Sequence, residues 1–514
     1  MEVFAALIAR RKRIYFNVPL LGLGYADFVI FYCTFVLVLG IRGVIIPNSS
    51  TNIEKLFDII IVILTIIWLS YFPVAIVSII RIFQHRNVFI ERDLRRVHND
   101  PKIIFQITTR SATKTPVVKR GISSVIESAR SVEYDDYEIA IATDDPADRD
   151  TLRKYKCEIV LVDKAFKTSA IKKARALQYA VEHRRKNRKN TSKHWIFHMD
   201  DESYVTPQTI LALLKFIRKG RGVASEGPIF YPLKFEIANR LTAIAESIRP
   251  FSCYDCVSQM THPPPLHMHG SNLLARSDVE DAVGWDFGPT LAEDQLFGYK
   301  IFEKYGASSM GWHGGILLEQ PPLTIRDHFF QRRRWIIGTL QNIHHFPPWH
   351  KRKLVFKSIT YFLGFVSAVA SSILSVYTYF PQIVSFVSLF DSNFKFGEEI
   401  IASLSSRVSE LFSYESVIQS LASLSPIEVT IGGVLLFTWI VWLMSYQLGL
   451  LMNLRYSKIR WRSRLSLHIQ ALILCPVLGL IETFPAFYSV IEYYFNRKKQ
   501  DCKVPIYDFH VIRK

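Results

Sequence analysis

Apolar residues in this chain are clumped. Phe28 to Ile46 and Phe57 to Ile80 are nearly free of charge, as are much of Ile359 to Phe390, Val429 to Leu451 and Leu465 to Ile481. A bilayer core takes about 20 apolar residues as helix. The pattern therefore predicts membrane spans near 27–46, 57–82, 356–380 and 429–452. Between the second and third spans the pattern changes. Short β-branched runs at Ile103–Ile107, Tyr137–Thr143, Glu158–Val162 and Trp195–Met199 alternate with helical spacing at Val117–Ser131, about Ala170–Arg184, and Pro207–Lys219. This rhythm of strand and helix predicts an α/β domain with a mostly parallel sheet. Ligands bind beyond the carboxyl ends of such strands. Asp144 and Asp200 both stand at strand ends and are expected to face one cleft. Three parts follow: residues 1–90 with two transmembrane helices, a cytosolic α/β region at 91–345, and a C-terminal membrane part with a basic tail at 346–514.

Charge sharpens this division. The 514 residues include 63 basic and 45 acidic side chains, a formal net charge of +18, and 49% are hydrophobic; mean hydropathy is positive. In a soluble protein so large an excess would suggest nucleic acid. Here much of it flanks apolar runs, at Arg10–Arg13, Arg92–Arg96, Arg332–Arg334, Lys351–Lys353, Arg455–Arg464 and Arg497–Lys499. That distribution favours anionic lipid headgroups and excludes a nucleic-acid partner. The basic residues before the first span place the N-terminus in the cytosol, and two crossings return the chain there. No small-residue cleavage site follows the first span, so it reads as an anchor rather than a removable signal. The last apolar stretch carries Pro476, Glu482 and Pro485, and a hairpin broken at the prolines fits the charge bias better than a crossing. Six scattered cysteines do not make a disulfide framework.

Five clusters carry candidate chemistry, and each has a plain structural alternative. Asp200, Asp201 and Glu202 end an apolar run; Asp200 and Glu202 suit a hard divalent ion, Mg²⁺ or Mn²⁺, though a solvated turn before the helix at Pro207 reads the same way. Asp144 and Asp145 can accept from a base or ribose, or can simply make the turn before Pro146. Lys173, with Lys172 and Arg175, can meet a diphosphate or form a solvated helix face. Glu293 and Asp294 follow the glycine-bearing turn at Gly284–Gly288; a carboxylate there can deprotonate a hydroxyl, or can only stabilise a helix N-terminus. Gln331, Arg334 and Trp335 share a helical turn that can grip a pyrophosphate and stack on a sugar, or can lie as an amphipathic helix on a membrane surface.

The order of these clusters resembles the D, D-x-D, E-D and Q-x-x-R-W set of membrane-bound family 2 glycosyltransferases. The resemblance runs from Ile103 to about Asn342. K-A-R-A-L-Q-Y (Lys173–Tyr179), Gly270-Ser271, Ala292–Asp294 and Q-R-R-R-W-I-I-G are similar to segments of the Egghead-type β-1,4-mannosyltransferases. It implies a Rossmann-like GT-A domain inserted between transmembrane helices, with interfacial amphipathic helices. It implies a nucleotide-sugar donor, GDP-mannose or a UDP-sugar, and an acceptor on a lipid-linked or membrane-associated glycan. Site roles follow by resemblance: Asp294 as catalytic base; Asp144, Lys173, Asp200, Glu293, Gln331, Arg334 and Trp335 on the donor; and Asp200 with Glu202, in place of the usual second Asp, on Mn²⁺ or Mg²⁺. Inversion at the anomeric carbon is expected.

Two alternatives stay open on the sequence. A processive synthase extruding a cellulose-, hyaluronan- or mannan-like polymer shares these motifs. A transporter or receptor with a nucleotide-binding domain would need ionisable residues buried in its spans; Glu482 is the clearest, and no G-x-x-x-x-G-K-[ST] loop is present. Cys253, Cys256, His262, His267 and His269 have zinc-ligand chemistry, though the histidines equally suit an acceptor groove beside Gly270.

Overall fold

A computed structural model describes residues 101–113, 117–220, 222–235, 237–249, 268–348 and 443–499, with isolated positions between 351 and 369. The predicted spans near 27–46, 57–82 and 356–380 lie outside the described residues, as do Cys253, Cys256, His262, His267 and most of the span near 429–452.

A seven-stranded sheet in the order β3-β2-β1-β4-β8-β6-β9 forms the centre. Its strands are β1 (Lys102–Thr108), β2 (Tyr137–Thr143), β3 (Glu158–Leu161), β4 (His194–Asp200), β6 (Ala224–Glu226), β8 (Leu273–Arg276) and β9 (Met310–Trp312). A smaller sheet joins β5 (Tyr204–Val205), β10 (Leu317–Leu318) and β7 (Ile229–Phe230). β1 is parallel to β2 and β4, with Thr108 level with Ala142 on one side and Asp200 on the other. The main sheet is mostly parallel, as expected, with one exception: β8 runs antiparallel to both β4 and β6. The sheet is thus mixed, because β8 starts, rather than ends, at the edge where β4 finishes; His198 pairs with Leu273.

The period-2 pattern sorts the faces. Ile103, Phe105 and Ile107 of β1 join Phe197 and Met199 of β4 against α1 (Val117–Ser131) and α4 (Pro207–Arg218). The opposite face is covered by α3 (Lys172–Lys186), α6 (Ser277–Val283) and α7 (Glu293–Tyr305), where Trp285 and Phe297 stack at 4.0 Å beside Leu177 and Val181. A short helix, α2 (Asp148–Leu152), follows β2; the buried Asp148 carboxylate accepts from Ala112 N, Thr113 N and Thr143 Oγ1 at 2.6–2.8 Å and so fixes the loop after β1.

The remaining helices bind the C-terminal part to the domain. α5 (Arg240–Ser247) meets the helical stretch 443–455 so closely that a Cβ on Gly449 would lie 1.9 Å from Ser247 O. α8 (Ile325–Asn342) lies against α9 (Trp461–Lys499). Among the described residues no single helix is long and apolar enough to cross a membrane; Trp461–Leu474 and Leu478–Asn496 pass only as a pair, meeting at 61°. A broken span and a re-entrant loop both have this form. The break spans Pro476, which has no N–H for the helical ladder, whereas the second segment continues through Pro485. Arg332 and Arg333, read above as membrane-flanking charge, are instead buried in ion pairs to glutamates.

Candidate active site

The second residue of α3, Lys173, is the hub of the cleft edge. Its ammonium bonds Asp200 at the end of β4 and donates to Gly270 O at 2.9 Å. Lys172, just before it, takes a left-handed backbone (φ 54°), as does Asn272 (φ 58°) two residues after Gly270. Such conformations are uncommon outside glycine and persist where surrounding contacts over-determine them; Asn272 Nδ2 donates to Pro228 O and Gly315 O, each at 2.9 Å. Burial works against the charge on Lys173, but Asp200, Glu293 and Asp294 outweigh it and hold the ammonium above its ordinary range.

Glu293 and Asp294 begin α7. Asp294 Oδ1 accepts from Gln295 N at 2.9 Å, and its Oδ2 would lie 3.1 Å from a Cβ placed on Gly270. A side chain at Gly270 would press on the ends of both Lys173 and Asp294, so the glycine lets the two approach one another. Burial and then repulsion from Glu293 push the Asp294 carboxyl up to about 7; Lys173 and His269 partly offset them. Glu293 is raised too, by burial, against the attraction of Lys173 and Arg334. A carboxylate poised near neutrality suits a general base.

α8 carries the remaining predicted residues. A Cβ on Gly338 would lie 2.7 Å from Ala292 Cβ, so this helix lies directly on the residues that lead into Glu293. Asn342 completes the join: its Nδ2 donates to Ala292 O and Gln295 Oε1, and its Oδ1 accepts from Thr290 Oγ1. Arg334 is close enough to Glu293 to lower its pKa. Gln331 accepts from Arg332 at 2.9 Å. Trp335 carries two guanidiniums, Arg249 at 4.4 Å and Arg332 at 4.5 Å from the ring centre; in this structure its π face meets arginine.

Two expected members are placed less centrally. Asp144 is half exposed, and reaches the same edge through Arg175, the third residue beyond Lys172 on α3, at 3.5 Å. Glu202 is buried, and the charges it meets include Arg120 and Lys234; Arg120 also donates to its backbone carbonyl. Three carboxylates, Asp200, Glu293 and Asp294, lie around Lys173, with Arg334 acting on Glu293 and His269 on Asp294. Asp200 offers the oxygen ligand that a hard divalent cation takes, and in this structure that carboxylate bonds Lys173; among the described residues the group with metal-ligand spacing is Glu246, His328 and Glu482.

Several residues here escape sequence reasoning. Glu319, just after β10, accepts from Ser203 Oγ at 3.1 Å and Ser271 Oγ at 2.6 Å, while Ser203 Oγ accepts from Asp200 N. It therefore braces the acidic turn and the Gly270 loop together; its only signal was an acid ending the run I-L-L before two prolines. Glu226, fully buried at the end of β6, accepts from His269 N at 2.9 Å.

The chain matches, over residues 195–489, the family described as Glycosyl transferase family group 2. It is 26% identical over 298 residues to the β-1,4-mannosyltransferase egh of Drosophila melanogaster, covering 56% of this chain and 64% of that protein. It is also 26% identical over 249 residues to the β-1,4-mannosyltransferase bre-3 of Caenorhabditis elegans, covering 48% and 53%. The chain thus aligns with less than two thirds of the length of these curated relatives. A solved mannosyltransferase, PcManGT from Pyrobaculum calidifontis in complex with GDP-Man and Mn2+, overlaps 73% of this chain and 98% of its own at 12% identity, with a TM-score of 0.38. With a match over more than half its length, the chain belongs to the family described as Glycosyl transferase family group 2.

Proposed function

We propose that this enzyme moves mannose from GDP-mannose to a hydroxyl on a lipid-linked or membrane-associated glycan, with inversion, so that an α-linked donor gives a β-linked product. The observation that carries this reading is the Asp294–Gly270–Lys173–Asp200 cluster: a base poised near neutrality beside a cationic, acid-lined strand end. The mannosyl donor rests on the names of the curated relatives.

In this reading Asp144 receives the base of the nucleotide, and Lys173 turns from Asp200 toward the diphosphate. Asp200, with Glu202 two residues on, holds Mn²⁺ or Mg²⁺. A divalent ion held there would supply positive charge to offset that on the departing diphosphate. Arg334 adds a second cation, and Gln331 and Trp335 close the site. Asp294 takes the proton of the acceptor hydroxyl as its oxygen attacks the anomeric carbon. One base suffices, because attack opposite the leaving group needs no covalent sugar–enzyme intermediate. The 91–345 region acts at the cytosolic face, between membrane segments at 1–90 and 346–514, where the basic flanks meet anionic lipid.

A screen of radiolabelled GDP- and UDP-sugars against membranes holding the chain, with product sizing, tests this. Single mannose addition from GDP-mannose, lost on chelation and in Asp294→Asn with GDP binding retained, is the expected result. Long polymer from the purified enzyme would establish the processive alternative, and transfer from UDP-sugars alone would overturn the donor.

A further inference from the structure

α8 is held at its middle and at its C-terminal part, and the two anchors differ in kind. In its C-terminal part Gly338 and Asn342 lock onto Thr290–Gln295, the segment that contains Asp294. At its middle two adjacent arginines reach α9. Arg332 Nε and Nη2 donate to the two carboxylate oxygens of Glu482 at 2.8 and 2.9 Å, and Nη2 also donates to Glu246 on α5 at 2.7 Å. Arg333 grips Glu492 with Nε and Nη2, the first at 2.6 Å. Gln331, Arg334 and Trp335 sit in the same turn as these arginines, and the Arg332 guanidinium lies on the Trp335 ring.

Ligand atoms of Glu246, His328 and Glu482 all lie within 4.8 Å of one another, which is metal-site spacing. Arg332 already bonds both glutamates, however, so the protein supplies the positive charge itself. The question is then what two forked pairs between the same helices accomplish. Buried ion pairs add little net stability over apolar packing. An arginine fork on a carboxylate does fix angle and distance. Two such forks, to acids ten residues apart on α9, fix both the rotation and the axial position of α8.

We propose that the bent C-terminal helix is a positioning element of the active site: Arg332–Glu482 and Arg333–Glu492 clamp α8, and α8 passes that placement through Gly338 and Asn342 to Asp294. This rests on Asp294 being the base, as proposed above. Arg332, Arg333, Glu482 and Glu492 are positioning residues; the clamp itself touches no reacting atom.

The experiment uses the full chain in lipid nanodiscs. Arg333→Glu, Glu492→Arg and the double exchange are compared for turnover, for affinity toward GDP with Mn²⁺, and for melting. Each single exchange is expected to lower kcat about 10- to 100-fold, the scale of a 1 Å misplacement near reacting groups, and to weaken GDP binding as Arg334 moves with α8; the double exchange restores most of both. Single exchanges with wild-type kcat overturn the clamp, as does a double exchange that melts and binds GDP normally yet stays slow. If the exchanges do not fold, Glu492→Gln keeps the test. It should slow turnover about fivefold and move the acid limb of the pH–rate profile, which reports Asp294 among Glu293, Lys173, Asp200 and His269. An unchanged limb with unchanged kcat overturns the proposal. Wild-type protein inactive on every donor defeats the functional reading itself; active wild type, dead Asp294→Asn and unaffected clamp variants defeat the clamp alone.

Discussion

Gly338 on α8 and Ala292 before α7 touch backbone to backbone: a Cβ on Gly338 would lie 2.7 Å from both Ala292 N and Ala292 Cβ, and 2.8 Å from Leu291 C. Neither chain can yield without moving the start of α7. Gly338→Ala is therefore expected to lose about 1–3 kcal/mol of stability by overpacking, and to lower turnover at least tenfold because Glu293 and Asp294 move with Ala292. Melting and kcat on the same preparation check both.

Asp294 gives a pH signature. Its carboxyl is pushed up to about 7 by burial and by Glu293, and only its ionised form takes a proton, so kcat/KM of the enzyme should rise with pH through about 7. Stability runs the other way. A raised carboxyl pKa imposes a penalty absent below the unfolded value of about 3.9, growing up to the folded one and complete above it. Asp294→Asn should thus melt above wild type at pH 8, with the advantage shrinking toward pH 4, while activity is lost throughout.

Gly270→Ala puts a methyl 3.0 Å from Lys173 Nζ and 3.1 Å from Asp294 Oδ2. Both are side-chain ends that can swing away, so the fold should survive. The two groups would no longer face one another across Gly270, and a kcat loss of about tenfold or more with near-normal melting is the expected outcome.

Glu280 is a stability residue behind the site. Arg184, His198 and Trp285 outweigh its burial and hold its carboxyl at about 2, with Arg184 Nη2 at 2.6 Å and Trp285 Nε1 at 2.7 Å. Its folded value is depressed, so the contribution is complete above the ordinary carboxylate range and is lost as pH falls toward 2. Glu280→Ala leaves Arg184 charged and buried, and should cost about 3–5 kcal/mol in denaturant unfolding at neutral pH.

Asp144 should separate binding from chemistry. It is exposed and tied only to the site's rim by Arg175. Asp144→Ala is expected to raise donor KM about tenfold, the worth of one hydrogen bond to a charged group, and to leave kcat within about twofold. A kcat loss matching that of Asp294→Asn would remove it from the donor's base.

The sequence was readable where one element settles its own pattern. Val117–Ser131 and Tyr137–Thr143 fall on the expected bounds, and the helix expected from about Ala170 begins at Lys172. β8, β9 and β10 were not foreseen, since runs of two to four residues carry no usable period. Asp200, Glu293, Asp294 and Lys173 are each legible in the sequence because their motifs have local spelling; that Lys173 gathers the three acids is not. Glu319, Glu226 and the Arg332–Glu482 pair were not, because their partners lie up to 150 residues away and only the fold brings them together. Glu482 was conspicuous as an acid in an apolar run, but its meaning depended on an arginine in another element.

The reversed strand β8 divides the cleft by origin. β1, β2 and β4 present their final residues there, each carried by a helical crossover whose length is constrained by the sheet. β8 presents its opening residues, so Gly270 and Ser271 arrive at the tip of an incoming segment. Lengthening or rewriting that segment leaves the register of the other strands intact.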